Sequence, residues 1–419
     1  MKYLPRLIDS ELEELMEIMG AVLIEGCKWC GKSTTATVHA KSVIEFQDPD
    51  KESEYESIAK TQPSIFLIGE KPRLFDEWQT YPVVWDSIRT EVDHSRLKGQ
   101  YILTGSALPK KKTTKHTGTG RIGRLKMRTM SLYESLESTG EVSFDDIVKG
   151  KNITGVSKLS LEELASVIVR GGWPASLDIK SNAKYRIAKE YIKSLVEVEV
   201  SNVDGTERNP EKMMSVLRSL ARNVSSQVAD STIENDVKNN FDESVSRPTV
   251  IDYVDTLHKL FVIENVNATN LNFRSKYAMR VKPKKYFVDP SLAAAVLEMG
   301  PDDLLNDLNT FGFLFECLCI RDLLVYTQSK GWNLSFYRDE KDFEVDAILR
   351  TSNGRWGAVE IKLGSGYIDE AAENLLKFTK RVDVDKCGEP LFLMVLTGTT
   401  YSYKRDDGVY VVSIGTLKD

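Results

Sequence analysis

The chain has 419 residues, and at roughly 100 to 200 residues per compact core it is expected to divide into about two to four domains. Hydrophobic residues make up 41%, charged residues 28% and aromatic residues 9%, which supplies ample apolar surface for burial and excludes a disordered or fibrous chain. A formal net charge of −6 excludes a uniformly cationic nucleic-acid binder, so any phosphate contact has to come from local patches.

The opening stretch MKYLPRLIDSELEELMEIMG carries acidic side chains where a signal or transit peptide carries none. No run reaches the roughly 20 apolar residues that span a bilayer, so no membrane partner is expected and the compartment is read as cytoplasmic. Cys27, Cys30, Cys317, Cys319 and Cys387 form no disulfide framework and fit reduced thiols.

Strands are predicted at Ala21 to Glu25, Ser42 to Phe46, Arg73 to Phe75 and Tyr101 to Leu103, with helices at Lys32 to Ala40 and Val83 to Val92. Alternating strands and helices imply an α/β domain around a parallel sheet, placed at residues 1–177. A helical connector, 178–208, follows. Asn209-Pro210 reads as a cap and first turn before Met213 to Arg222, and Ser246-Arg247-Pro248 leads into Thr249 to Leu260. Strands at Phe261 to Val266 and Lys285 to Val288 then complete the order of a winged helix-turn-helix over 209–290. A long apolar helix, Leu308 to Gln328, opens a last domain, 291–419. Its predicted strands are Leu334 to Tyr337, Glu344 to Leu349, Gly357 to Lys362 and Pro390 to Leu396, with a helix at Ile368 to Phe378.

Gly26, Cys27, Lys28, Trp29, Cys30, Gly31, Lys32 and Ser33 satisfy GxxxxGK[ST] between a predicted strand and helix, with Thr34 next in the first turn. The glycines let backbone N–H groups turn inward around a phosphate, Lys32 adds a point charge at the β and γ oxygens, and the Ser33 hydroxyl suits magnesium. ATP and Mg2+ are the cofactors this implies. Asp76 and Glu77, after the apolar end of a strand, are placed to hold the magnesium and to polarise water, against the alternative of a solvated strand end. Thr104, with Gly105 and Ser106, brings hydroxyls to the same sheet edge, where one could sense the γ-phosphate or simply cap a turn. The Cys27 and Cys30 pair lacks the second ligand pair that zinc requires.

These motifs, with Gly118-Thr119-Gly120-Arg121 and Arg170-Gly171-Gly172-Trp173-Pro174, resemble the archaeal and bacterial AAA+ ATPases that carry a restriction-endonuclease-like domain at the C-terminus. The resemblance spans nearly the whole chain and implies a P-loop AAA+ core, a winged helix and a nuclease-like α/β domain. It also implies a homo-oligomer whose site takes an arginine from a neighbouring subunit. Arg121, Arg124 and Arg128 are candidates, with Arg121 taken into the site and Arg170 as an alternative.

Two basic stretches are free of acids: Lys110, Lys111, Lys112, Lys115, Arg121, Arg124, Lys126 and Arg128, and then Arg274, Lys276, Arg280, Lys282, Lys284 and Lys285. The second reads either as a wing that grips phosphates or as a solvated hairpin. In the last domain Asp346, Glu360 and Lys362 form the D…ExK pattern of PD-(D/E)xK folds, since strand alternation puts Glu360 and Lys362 on one face. Asp346 and Glu360, with Glu316 from the preceding helix, are the expected metal ligands, and Lys362 the charge at the transition state. The leading expectation is an ATP-hydrolysing machine that couples nucleotide state to DNA binding, with a possible metal-dependent nuclease. The alternative is an ATP-gated regulator of DNA binding or protein assembly whose last domain is a scaffold.

Overall fold

The computed structural model describes residues 3–106, 117–203, 205–240, 245–269 and 281–419. They form two compact units, one of residues 1–129 with 199–207 and 259–261, and the other of 130–198, 208–258 and 262–419.

The first unit is built on five parallel strands in the order β2-β3-β4-β1-β5: β1 (Ala21–Glu25), β2 (Ser42–Glu45), β3 (Arg73–Asp76), β4 (Tyr101–Gly105) and β5 (Ile122–Lys126). The central strands read as unbroken apolar runs because helices cover both faces of a parallel sheet. Those helices are α1 (Ile8–Ile18), α2 (Lys32–His39), α3 (Glu52–Thr61) and α4 (Val83–Ser95). An aromatic core fills one side, where the Phe46 ring lies 5.2 Å from Phe66 and Trp78 packs 4.9 Å from Trp85. Strand β5 was hidden in the sequence by its cations: Arg124 is exposed while Ile122 and Leu125 are buried, so the basic segment is in part an edge strand beside β1. Lys110, Lys111, Lys112 and Lys115 lie outside the described residues.

The second unit centres on an eight-stranded mixed sheet. Across it run Thr154–Val156, Tyr401–Lys404, Tyr410–Ser413, Leu393–Thr397, Trp356–Lys362, Glu344–Arg350, Asn333–Arg338 and Ala268–Thr269. The boundary between the units falls after Thr129, whereas the sequence expectation ran the first domain to 177. Residues 154–156 explain this, since they pair antiparallel with Tyr401–Lys404 at the edge of that sheet.

Three helices, Pro210–Arg222, Asp230–Asn240 and Arg247–Lys259, precede an antiparallel pair of Ile263–Val266 with Lys284–Phe287. Asn209 caps the first of them, its side chain accepting from Lys212 N at 3.0 Å. Asp252, an unsuitable residue for a DNA groove, is held by a bidentate Arg208 at 2.9 and 3.0 Å, which gives that acid a structural partner.

The Arg170-Gly171-Gly172-Trp173 segment sits in a buried ionic knot. Arg321 pairs with Asp289 at 3.0 Å and with Asp322 at 2.7 Å, and Asp289 also accepts the amide of Gly172 at 2.9 Å. A Cβ on Gly172 would lie 2.1 Å from the Met130 carbonyl, so only glycine lets these backbones approach. Arg170 is buried and tied to Glu137, at 2.9 Å for its second amino group, which gives it a structural partner within the chain.

Candidate functional site

The loop from Gly26 to Gly31 joins β1 to the first turn of α2 at the carboxyl edge of the parallel sheet, where open α/β sheets place ligands. Gly31 has φ +105 and Trp29 φ +63, left-handed conformations that fold the loop back on itself. A Cβ on Gly26 would stand 2.1 Å from the Met127 carbonyl, so the first glycine is required by close approach. Lys32 is buried at 5% exposure and its Nζ donates to the Cys27 carbonyl at 2.8 Å, laying the ammonium across the loop. Ser33 and Thr34 are exposed in the first turn of α2. Lys28 pairs with Glu199 at 2.6 Å. Cys27 and Cys30 are buried, and the Cys30 thiol is pushed down to about 6 by a hydrogen bond with Cys27, against burial and with help from the Lys32 and Arg6 charges.

Arg6, which no sequence signal marked, anchors this loop from beneath. Its guanidinium donates to the Cys30 carbonyl and to the Arg128 carbonyl, both at 2.9 Å.

Asp76, Glu77 and Thr104 meet at the ends of β3 and β4. The Thr104 hydroxyl donates to Asp76 Oδ1 and accepts the Glu77 amide at 3.1 Å. Glu77 has φ +53, an uncommon conformation for a non-glycine residue that characteristically persists at functional sites. Its carboxylate accepts from the Ser106 hydroxyl at 3.1 Å and from the Gln79 amide, so two neighbours aim it. The oxygen donors of Ser33 and Asp76 are of the hard type that magnesium prefers, and the exposed first turn of α2 leaves room for phosphate, so these residues fit ATP with Mg2+.

The candidate arginines differ in placement. Arg121 is half-exposed and donates to Asp93 at 2.7 Å, and Arg124 is half-exposed and pairs with Glu25 at 2.9 Å. Arg128 is buried at 8% exposure, unlike the other two.

In the second unit, Asp346, Glu360 and Lys362 come together as the strand pattern implied. Lys362 Nζ lies 2.9 Å from Glu360 Oε2 and 3.4 Å from Asp346 Oδ2, and the Ile361 amide donates to Asp346 at 2.8 Å. Asn374, missed in the sequence because it lies on the following helix, donates to Glu360 Oε1 at 2.7 Å. Glu316, from helix Leu308–Ser329, also joins the cluster. The departure is Lys284. Assigned by sequence to a phosphate-gripping wing, it is only 3% exposed and points inward to Glu344 at 2.6 Å, Glu316 at 3.2 Å and Asp346 at 3.7 Å. Lys285 is half-buried and Lys282 exposed, while Arg274, Lys276 and Arg280 lie outside the described residues.

Charge balance follows from burial. Glu360 is pushed up to about 8 by burial and by the Asp346 charge, while Lys362 and Lys284 hold Asp346 below its ordinary range despite its burial. Burial works against the Lys284 ammonium, but the charges of Glu316, Asp346 and Glu344 outweigh it and keep it protonated. A cleft of about 890 Å3 opens onto Glu316, Glu360, Lys362 and Asn374.

Residues 19–136 match a family model described as an AAA domain. Residues 161–303 match a domain of unknown function (DUF8612), and residues 311–417 another domain of unknown function (DUF4143). No curated protein matches the chain. Among solved structures it is similar to the Walker-type ATPase PABY2304 of Pyrococcus abyssi, at 15% identity over 70% of this chain and 96% of that one, with a TM-score of 0.43. It is also similar to the replication initiator DnaA bound to AMPPCP and single-stranded DNA, at 15% identity over 60% of this chain and 86% of that one, with a TM-score of 0.28. Among the described residues no helix is long and apolar enough to cross a membrane. The AAA-domain match and the five-stranded parallel sheet together support an AAA-type ATPase in the first unit.

Proposed function

We propose that the chain binds ATP with Mg2+ on the Gly26 to Thr34 loop, hydrolyses it, and uses nucleotide state to change its hold on DNA. The observation that carries the reading is the convergence of a buried loop lysine, Lys32, with an Asp76-Thr104-Glu77 array at the edge of the same sheet. Magnesium bound there would supply charge neutralisation at the phosphates. Lys32 would place its ammonium at the phosphates, Ser33 and Asp76 would hold the metal, and Glu77, aimed by Ser106 and Gln79, would orient the attacking water. Arg121, or Arg124, completes the site from a neighbouring copy in a homo-oligomer acting in the cytoplasm. The three-helix segment with its strand pair acts as a winged helix, and residues 291–419 take the nuclease-like α/β fold.

Lys32→Ala is expected to abolish nucleotide binding, measured with a fluorescent ATP analogue, while Glu77→Gln keeps binding and loses turnover. General base catalysis contributes about 100- to 10,000-fold, so Glu77→Gln is expected to lower kcat by that order, and unchanged turnover overturns the assignment. DNA coupling is tested by the salt slope of duplex binding with and without ATP, since phosphate contacts release counterions.

A second reading of the last domain, a scaffold without cleavage, is favoured by one observation: the Lys284 ammonium lies among the carboxylates that a nuclease would use for metal. Incubating the protein with duplex and single-stranded DNA in Mg2+ and in Mn2+ separates the readings. Cleavage lost in Asp346→Ala would establish the nuclease.

A further inference from the structure

The D…ExK pattern implies a divalent metal held by Asp346, Glu360 and Glu316, and the side chains around it tell against that fit. Oxygens that would coordinate metal already have protein partners. Glu316 Oε1 accepts from Tyr286 at 2.7 Å and from Lys284 at 3.2 Å. Asp346 faces Lys284 with Oδ1, at 3.7 Å, and meets Lys362 and the Ile361 amide with Oδ2. Glu360 is taken by Asn374 on one oxygen and by Lys362 on the other. Glu344, which alternation puts on the face of Asp346, meets Lys284 with Oε1 and Arg338 with Oε2, the latter at 3.2 Å. Among the described residues no group of three or more His, Cys, Asp or Glu side chains is arranged to hold a metal ion.

Lys284 is fixed there by the fold. It opens the strand Lys284–Phe287 and pairs in register with Val266, so its side chain leaves an ordered backbone. The ammonium also lies 5.6 Å from the centre of the buried Phe336 ring, a cation-π contact that favours a desolvated charge. A divalent ion between Glu316, Glu344 and Asp346 would have to displace this ammonium or sit against it at short range in a medium of low dielectric, where like charges repel strongly.

We propose that the Lys284 ammonium is the resident cation of this cluster, standing where the D…ExK pattern implies a divalent metal, so that the native chain takes no metal there. The cluster is then a latent metal site, closed by one side chain. This inference concerns the second unit alone and does not depend on the ATPase reading.

The test is Mn2+ binding to the full, nucleotide-free chain, read as loss of the free-ion EPR signal, with Asp346→Asn as the control that identifies the site. Wild-type protein is expected to bind no Mn2+ that Asp346→Asn removes, at concentrations up to about 1 mM, the weak end of protein sites for divalent ions. Lys284→Met is expected to gain one such ion per chain with affinity at least about tenfold tighter than wild type. Asp346-dependent binding to wild type overturns the proposal, and so does a folded Lys284→Met that binds none. Should Lys284→Met fail to fold, Lys284→Met with Glu344→Gln removes one cation and one carboxylate together and carries the same readout, while the wild-type measurement stands by itself.

Discussion

Thr104→Val removes a hydroxyl from strand β4 while keeping its branched shape. The side chain is fully buried, its Oγ1 donates to Asp76 Oδ1, and it accepts the Glu77 amide at 3.1 Å. A neutral hydrogen bond contributes about 0.5 to 1.5 kcal/mol net and one to a charged group about 1.5 to 3. Asp76 and Glu77 are half-buried, so water recovers part of both, and the expected loss is about 2 to 3 kcal/mol. Thr104→Ser keeps both bonds and deletes one methyl, for about 1 kcal/mol. Urea unfolding followed by total tryptophan fluorescence reports on this core through Trp78 and Trp85, whose rings sit in it, the other tryptophans being the same in all three proteins. The order expected is wild type, then serine, then valine. Valine also frees the backbone at Glu77, which is held at φ +53, so kcat is expected to fall further in Thr104→Val than in Thr104→Ser with KM for ATP little changed. A valine variant as stable and as active as the serine variant refutes the claim that this hydroxyl holds the two strand ends in register for catalysis.

Arg321→Met leaves Asp289 and Asp322 buried without their cation and is expected to destabilise the second unit by about 3 to 5 kcal/mol in urea; a loss below about 1 kcal/mol would show that the knot is not ionic. Glu360 titrates near 8 when folded and near 4.5 when unfolded, so the folded state holds an extra proton between those values. The stability it contributes is complete below that window and is lost as pH rises through it, and Glu360→Gln is expected to flatten that fall by up to about 1.4 kcal/mol per pH unit. Identical slopes in the two proteins would mean that Glu360 is ionised when folded. For a site shared between copies, an inactive Arg121→Ala or Arg124→Ala chain mixed with an inactive Glu77→Gln chain is expected to regain part of the turnover, because each supplies what the other lacks, and no regain for either arginine would count against a site shared through them.

Features carried by neighbours along the chain were legible without a structure. The phosphate loop is contiguous and strand β1 is one apolar run; Asn209-Pro210 announces a helix start, and Glu360 and Lys362 share a face because a strand alternates. Charge obscured other elements. Strand β5 read as a basic segment because its exposed side chains are cations, and Lys284 read as part of a phosphate grip because pattern along the chain registers a lysine's neighbours and not its depth.

Tertiary structure alone decided which of these residues meet. Arg6 reaches the phosphate loop across 24 positions and the Arg128 carbonyl across 122, and Gly172 reaches Asp289 across 117. No local periodicity encodes contacts at such separations, because they arise only when strands and helices pack. Lys284 is the sharpest case. Thirty-two positions separate it from Glu316, and its burial among carboxylates turns a residue that local sequence assigns to solvent into the dominant charge of the cluster. Burial has that power because a charge removed from water persists only when opposite charges surround it, and it is the fold that gathers them.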